Sequence, residues 1–171
     1  MITEPKVADR GAQHYVAIRT QATMQALDTA IPQGLGEVFA WLAQQGVAPA
    51  GAPFIRYLVI DMEALLDIEV GVPVATALSG DDRICAGVLP AGRYASLVYT
   101  GIDNGIQANW ALLKWGAEKG LVWDSWKTEQ GDAFGARLES FLTNPDEEPD
   151  RAKWETEVAI RLAVDHAKNA R

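Results

Sequence analysis

The feature that most constrains the fold of this chain is an internal repeat. Residues 14–75 follow a pattern typical of strand, helix, strand, strand, and the same order returns over residues 84–162. The copies also share letters, because the segment from Asp67 to Val74 aligns without gaps on the segment from Glu155 to Leu162. Two such units predict one antiparallel sheet built from two similar halves, with helices covering one of its faces.

The first copy is predicted to have four elements. The pattern indicates a strand over residues 14–20, a turn at 31–34, a helix that ends at Gly46, and strands over residues 54–60 and 64–75. The predicted apolar stripe of the helix consists of Leu35, Val38, Phe39 and Leu42.

The second copy is predicted to have the same elements and longer connections. Its strand covers residues 84–101, its helix 105–119, and its last two strands 135–142 and 153–162. The connections that lengthen it are predicted loops over residues 122–134 and 143–150. The predicted apolar stripe of its helix consists of Ile106, Trp110, Leu113 and Ala117. Trp41 and Trp115 occupy equivalent helix positions and are predicted core partners, and Trp110 is also predicted to be in the core.

Alternation in the final strands places carboxylates on the face away from the helices. Glu69 in the first copy and Glu157 in the second lie two residues before Gly71 and Ala159, which are small enough to leave room beside them. Either this face is simply solvated, or the two halves meet in a groove where a partly desolvated carboxylate binds a cation or transfers protons. Asp67 and Glu155, near the strand starts, are interpreted as surface charges.

Composition excludes several classes of function. A net charge of −8 and a pI near 4.7 argue against direct nucleic acid binding, because no basic stripe is present to displace counterions. The N-terminal segment lacks the apolar run of a signal peptide and no stretch is long enough to span a membrane, so we expect a cytoplasmic protein. Cys85 is the single cysteine and is interpreted as a buried small hydrophobe. No metal site and no cofactor are predicted, and the acidic stretch 144–150 is interpreted as a solvated turn.

Several phrases together resemble a known family. The repeat, RYLVIDMEALLDIEVGVPV, LPAGRYASLVYTG and the terminal KWETEVAIRL are similar to the GyrI-like small-molecule-binding domain, also called the effector-binding domain of bacterial transcription activators. The resemblance implies an α+β fold in which duplicated β-α-β-β units form a pseudo-two-fold antiparallel sheet, with helices on one face and a ligand cleft on the other. It implies one domain over residues 1–163, with repeats over about 12–76 and 84–163, followed by a tail, 164–171.

The resemblance also implies a function. Members of this family bind cationic aromatic compounds through an acidic residue on a central strand, and the matching positions are Glu157 and Glu69. We therefore expect a stand-alone domain that binds a small aromatic organic molecule, cationic ones included, for sequestration or sensing of a drug or toxin. Aromatic walls are expected from Tyr57, Tyr99, Trp123 and Trp126. Tyr57 could instead pack in the core, and the two tryptophans could either form a lid or pack their loop down.

Two alternatives stay open at this point. Some relatives are hydrolases that open the cyclopropane ring of DNA-alkylating natural products, in which case Glu157 would be catalytic by assisting proton transfer or orienting water. Others are linked to gyrase protection, which would make the chain a protein-interaction module with a regulator or gyrase as partner. No helix-turn-helix precedes the domain, which disfavours direct transcription-factor activity. The frequent family phrase His-x-Gly-Pro-Tyr is replaced by Tyr99-Thr-Gly101-Ile-Asp103, which removes an imidazole from the cleft edge.

Overall fold

A computed structural model describes residues 1–61 and 63–164 of the chain. Within that part of the chain, the elements are β1 (Lys6–Arg10), β2 (Gln13–Ala22), α1 (Leu27–Gln45), β3 (Phe54–Ile60), β4 (Leu66–Pro73), β5 (Cys85–Leu89), β6 (Gly92–Thr100), α2 (Gly105–Glu118), β7 (Ser125–Thr128), β8 (Gly131–Phe134), β9 (Arg137–Phe141) and β10 (Glu155–Arg161). The predicted tail, 164–171, lies outside the described residues from position 165 onward. In the segments described, neither helix combines the length and the apolar character needed to cross a membrane.

The strands form a single antiparallel sheet, which confirms the predicted α+β fold. Eight of them follow the order β1-β6-β10-β9-β3-β4-β2-β5, and the β7–β8 hairpin attaches to β3 through β8. The two copies meet where β3 pairs with β9. Each half takes its outer strand from the segment that precedes the other half, because β1 pairs with β6 and β5 pairs with β2. The halves are therefore tied to each other through their edge strands.

The strand register confirms the alignment of the two copies. Around the central pair, in which Ile55 lies opposite Glu139, each half repeats the same set of cross-strand neighbours. The equivalent positions, first half before second half, are Phe54 and Leu138, Ile55 and Glu139, Gly71 and Ala159, Glu69 and Glu157, and Tyr15 and Tyr94. The carboxylates that the sequence pairs are thus structurally equivalent.

The two faces of the sheet have different cores. On one face, α1 lies over β2 and β4 while α2 lies over β6, so the central strands β3 and β9 face the interval between the helices. The other face has no helix on it, and its small core is made of Tyr15, Ala17, Phe54, Tyr94, Ala136, Leu138 and Ala159. The sheet thus has one face covered by the two helices and one face that is free of them.

The predicted start of α1 is wrong. The turn expected at residues 31–34 lies inside the helix, which includes Pro32 and begins at Leu27. The reason is that the apolar spacing continues upstream: Leu27 is buried and Ile31 packs against the same cluster under the helix. Phe39, expected in the stripe, is 39% exposed. Gly46 ends the helix in a left-handed conformation, as predicted.

The buried face of α2 also differs from the prediction. Trp110 is 62% exposed and Ile106 is 74% exposed, so neither is in the core. The helix instead buries Ala108, Leu112 and Gly116. Small residues lie on the buried face because they allow the helix to approach the sheet closely. The indole of Trp123 occupies the space that a side chain at position 116 would take. Lys114 lies over the exposed Trp110 ring, 5.1 Å from its centroid.

Two segments contain more strands than the sequence predicts. Residues 84–101 form two strands, broken at Pro90 and Ala91, that belong to opposite halves of the sheet. The predicted loop 122–134 contains the β7–β8 hairpin. Trp41 and Trp115, predicted to be core partners, are both partly buried and pack against the clusters under their helices.

Candidate functional site

The helix-free face holds a cavity of about 320 Å³ between the two halves. Its wall is largely apolar, with Phe54 and Leu138, which are pseudo-symmetric partners, both among the lining residues. The polar side chains that reach it are Arg10, Gln13, Ser140 and Glu157. The volume is at the lower end of the range for small-molecule sites.

Glu157 lines this cavity but already has a cationic partner. The Nη2 atom of Arg10, on the edge strand β1, donates to Glu157 Oε1 at 2.9 Å. The same guanidinium lies over the Tyr94 ring, 5.3 Å from its centroid. A cationic ligand at this carboxylate would have to displace Arg10, which lowers the gain from binding there.

Glu69, the equivalent carboxylate, lies outside the cavity lining and is fully engaged with protein groups. Tyr15 donates its hydroxyl to Glu69 Oε1 at 2.5 Å, and Arg56 Nη1 donates to that hydroxyl at 2.8 Å. Arg56 occupies the place that Ser140 takes in the second half, and its larger side chain fills the space beside Glu69. Burial and the Glu69 charge raise the pKa of Tyr15 and of the nearby thiol of Cys85, which is partly exposed rather than buried.

Tyr57 and Tyr99, two of the predicted ligand-binding residues, converge on a carboxylate that sequence reasoning missed. Tyr57 donates its hydroxyl to Glu139 Oε2 at 2.5 Å, and Tyr99 donates to Glu139 Oε1 at 3.1 Å. Asn109, on α2, donates its side-chain amide to Glu139 Oε1 at 3.4 Å, and Arg137 lies two residues away on the same strand face. We call Tyr57, Tyr99, Asn109, Arg137 and Glu139 the interhelical site, because they lie where the central strands face the interval between α1 and α2.

Glu139 is buried without an ion-pair partner. It is 9% exposed, and the groups that hydrogen-bond to it are two phenols and an amide, all neutral. Burial, followed by the charge of Glu139, raises the pKa of both Tyr57 and Tyr99, so both phenols remain protonated donors at neutral pH. None of the ion pairs formed within the described residues includes Glu139.

The pseudo-symmetry shows that the fold does not require this carboxylate. The equivalent position in the first half is Ile55, which is fully buried. The fold therefore accepts an aliphatic side chain at the position equivalent to Glu139. A buried charge at such a position lowers the stability of the protein. A costly group that the fold could replace is the kind of group that function retains.

The remaining predicted residues lie apart from the interhelical site. Trp123 packs under α2 against Gly116, so it belongs to the core beneath the helix and is not free to act as a lid. Trp126 is 54% exposed on the outer hairpin strand β7. Within residues 1–61 and 63–164, no cluster of His, Cys, Asp and Glu has a geometry that could hold a metal ion.

The sequence contained one signal for Glu139. In the strand written RLESF, alternation puts Arg137, Glu139 and Phe141 on one face and Leu138 and Ser140 on the other. The face with two charges is the one that turns toward the helices, contrary to the usual assignment by polarity.

A model of the GyrI-like small molecule binding domain matches residues 3–163, which is nearly the whole chain. The protein belongs to this family. No curated protein sequence matches this GyrI-like chain.

Solved structures with the same fold have low sequence identity to this GyrI-like domain. The EcmrR C-terminal domain superposes with a TM-score of 0.72 at 16% identity, over 94% of this chain and 97% of that one. In the EcmrR–DNA complex the TM-score is also 0.72, at 17% identity, and the match covers 93% of this chain but 57% of EcmrR. SAV2435 bound to tetraphenylphosphonium gives a TM-score of 0.59 at 9% identity, over 99% of this chain and all of that one. A hydrolase from Listeria innocua gives 0.61 at 10% identity, covering 94% and 92% of the two chains.

Proposed function

We propose that this GyrI-like domain binds small aromatic organic molecules, cationic ones in particular, at the interhelical site. The observation that supports this most strongly is the buried Glu139 carboxylate, which has neutral hydrogen-bond donors and no ion pair. A cation placed against it would compensate a charge that the protein alone leaves uncompensated. Membership in a small-molecule-binding family supports ligand binding in general, and SAV2435, a neighbour in fold, is known bound to an aromatic cation.

Aromatic side chains around Glu139 favour a flat or aryl-substituted ligand. Tyr57 and Tyr99 present their rings beside the carboxylate they hydrogen-bond, and Phe134 and Phe141 are partly buried at the same part of the sheet. Such rings attract a cation through their faces while burying apolar ligand surface. A ligand would enter between α1 and α2, where the central strands contact neither helix extensively.

Binding of tetraphenylphosphonium, followed by quenching of tryptophan fluorescence and by calorimetry, tests this proposal. We expect binding by the wild-type protein, and much weaker binding of the neutral analogue triphenylphosphine oxide. Glu139→Gln should weaken phosphonium binding by about 2 kcal/mol, or about thirtyfold in Kd, which is the loss expected for one buried charge interaction.

The matched control is Glu157→Gln, which removes the carboxylate of the cavity on the helix-free face. The interhelical proposal predicts little effect of this variant, since Glu157 is neutralised by Arg10. If Glu157→Gln abolished binding and Glu139→Gln did not, the ligand would belong to the helix-free cavity instead. In that case the aromatic contacts would come from Phe54 and Tyr94.

Two other functions remain as alternatives. A hydrolase that opens cyclopropane rings is favoured by the way two phenols orient Glu139, since a held carboxylate can orient water or accept a proton. Mass analysis of a cyclopropane-bearing alkylator after incubation, with Glu139→Gln as control, decides between turnover and binding. A protein-interaction role, with a regulator or gyrase as partner, is favoured only if no aromatic compound changes the melting temperature or the fluorescence. Drug or toxin sequestration and sensing both follow from binding without turnover.

A further inference from the structure

Arg137 is a second charged group of the interhelical site that lacks an ion pair. It lies two residues before Glu139 on β9, and its guanidinium lies over the Phe134 ring, 4.8 Å from the centroid. Its Nε atom is buried and has no hydrogen-bond partner within the described residues. Five ion pairs join side chains in residues 1–61 and 63–164, and Arg137 takes part in none of them. A partly buried guanidinium with so few partners is uncommon.

Arg137 and Glu139 do not pair with each other, although they point to the same face of the sheet. Asn109 lies between them: its amide nitrogen donates to Glu139 Oε1 at 3.4 Å, and its amide oxygen accepts from Arg137 Nη2 at 3.1 Å. The carboxylate, the amide and the guanidinium thus form a chain with opposite charges at its two ends. The Asn109 amide nitrogen also donates to the Gly105 carbonyl oxygen at 2.9 Å, so the amide is held by its own helix as well as by the two charged groups.

The surroundings lower the pKa of Arg137, but the guanidinium stays protonated at neutral pH. Burial is the main cause of this lowering, and the negative charges of Glu139 and Asp132 oppose it in part. Asp132 lies on β8, the strand that precedes β9 in the chain, and forms no ion pair with Arg137. An arginine side chain remains protonated even when it is partly buried, so Arg137 has a positive charge at neutral pH.

We propose that the interhelical site selects dipolar aromatic ligands, with a cationic or electron-poor part at Glu139 and an anionic or strongly accepting oxygen at Arg137. This inference rests on the proposed function and narrows its ligand class. A ligand with both groups satisfies both uncompensated charges, whereas a simple organic cation satisfies only one and adds its own apolar bulk beside Arg137. The Nη and Nε donors of arginine are suited to a planar carboxylate, which gives the site a geometric preference as well.

Two dyes test the inference because they share one cationic ring system. Tetramethylrhodamine has a free carboxylate and is zwitterionic at neutral pH, and its methyl ester is a simple cation. Fluorescence anisotropy should show that the wild-type protein binds the zwitterion about tenfold more tightly than the ester, the factor expected for one charge-assisted hydrogen bond. Arg137→Met should reduce this ratio to near unity, chiefly by weakening the zwitterion. Arg137→Lys, which keeps the charge, should retain most of the preference and guards against a fold defect in the methionine variant.

Arg10→Met is the matched control, because Arg10 is also a guanidinium over an aromatic ring but faces the helix-free cavity. It should leave the dye preference unchanged. Three results would overturn the inference while leaving the binding of tetraphenylphosphonium intact. The wild-type protein could bind the two dyes with equal affinity, the preference for the zwitterion could survive Arg137→Met, or the preference could disappear in Arg10→Met. Binding of tetraphenylphosphonium without any binding of the zwitterion would overturn it as well. If none of the three compounds binds, the proposed function fails and the inference fails with it.

Discussion

The position of Glu139 leads to a prediction about stability that runs against expectation for a buried, hydrogen-bonded side chain. Glu139→Gln removes the charge but keeps an oxygen that accepts from Tyr57 and supplies an amide that can donate to the Tyr99 hydroxyl. The lost charge-assisted hydrogen bonds cost about 1.5–3 kcal/mol, and relief of an uncompensated buried charge returns a similar amount. We expect the free energy of unfolding to change by less than about 1 kcal/mol, which for a chain of this size shifts Tm by no more than about 4 °C.

The pseudo-symmetric position provides the comparison. Ile55→Gln places the same amide where the fold has a fully buried aliphatic side chain. It loses the burial of the isoleucine and leaves polar atoms without partners, so we expect a loss of at least about 3 kcal/mol. Urea unfolding of both variants, followed by circular dichroism, measures the two free energies under one condition. A loss above about 3 kcal/mol in Glu139→Gln would show that the carboxylate is a structural requirement, and the argument from symmetry would be refuted.

Three further predictions concern groups around the two sites. Glu69→Gln should increase the rate of Cys85 alkylation by iodoacetamide at about pH 8 by severalfold. Burial and the Glu69 charge together raise the pKa of the thiol, and the variant removes only the contribution of the charge. An unchanged rate would contradict a contribution from Glu69. The pKa values of Tyr15, Tyr57 and Tyr99 are raised above the ordinary value of 10.0. The stability that these tyrosines provide is therefore complete below about pH 10 and is lost as the pH rises toward their folded-state pKa values. Urea titrations that show no loss of stability above about pH 10 would count against their burial. Arg10→Met should lower the free energy of unfolding by no more than about 1 kcal/mol in the same assay, since the Arg10–Glu157 pair is partly exposed, and a larger loss would make it unsuitable as the dye control.

The architecture was predictable from the sequence because repetition fixes it twice. The gap-free alignment that includes Glu69 and Glu157 predicted the equivalence of the halves, which the register confirms. What the repeat could not give is the exchange of edge strands. The break at Pro90 and Ala91 sends β5 and β6 to opposite halves, and local periodicity contains no information about which half a strand joins.

The site was only partly predictable, for a physical reason. Matching carboxylates drew attention to Glu157 and Glu69, but both have partners from distant strands, Arg10 and Tyr15, that spacing cannot reveal. Glu139 has no counterpart in the repeat, because Ile55 takes its place, and a method that looks for what the copies share passes over it. The prediction that Trp110 lies on the buried face of α2 was wrong for a similar reason. The small size of Gly116 and the position of Trp123 determine which face of the helix is buried, and spacing within the helix does not show either.

The face on which the ligand binds is the central claim, and the tyrosines allow it to be measured directly. The chain has four, of which Tyr57 and Tyr99 belong to the interhelical site while Tyr15 and Tyr94 belong to the core of the helix-free face. NMR spectra of protein with isotope-labelled tyrosine rings, assigned through single Tyr→Phe variants, would be recorded during titration with tetraphenylphosphonium. The account predicts large shifts for Tyr57 and Tyr99 and small ones for the other two. Shifts confined to Tyr15 and Tyr94 would contradict it.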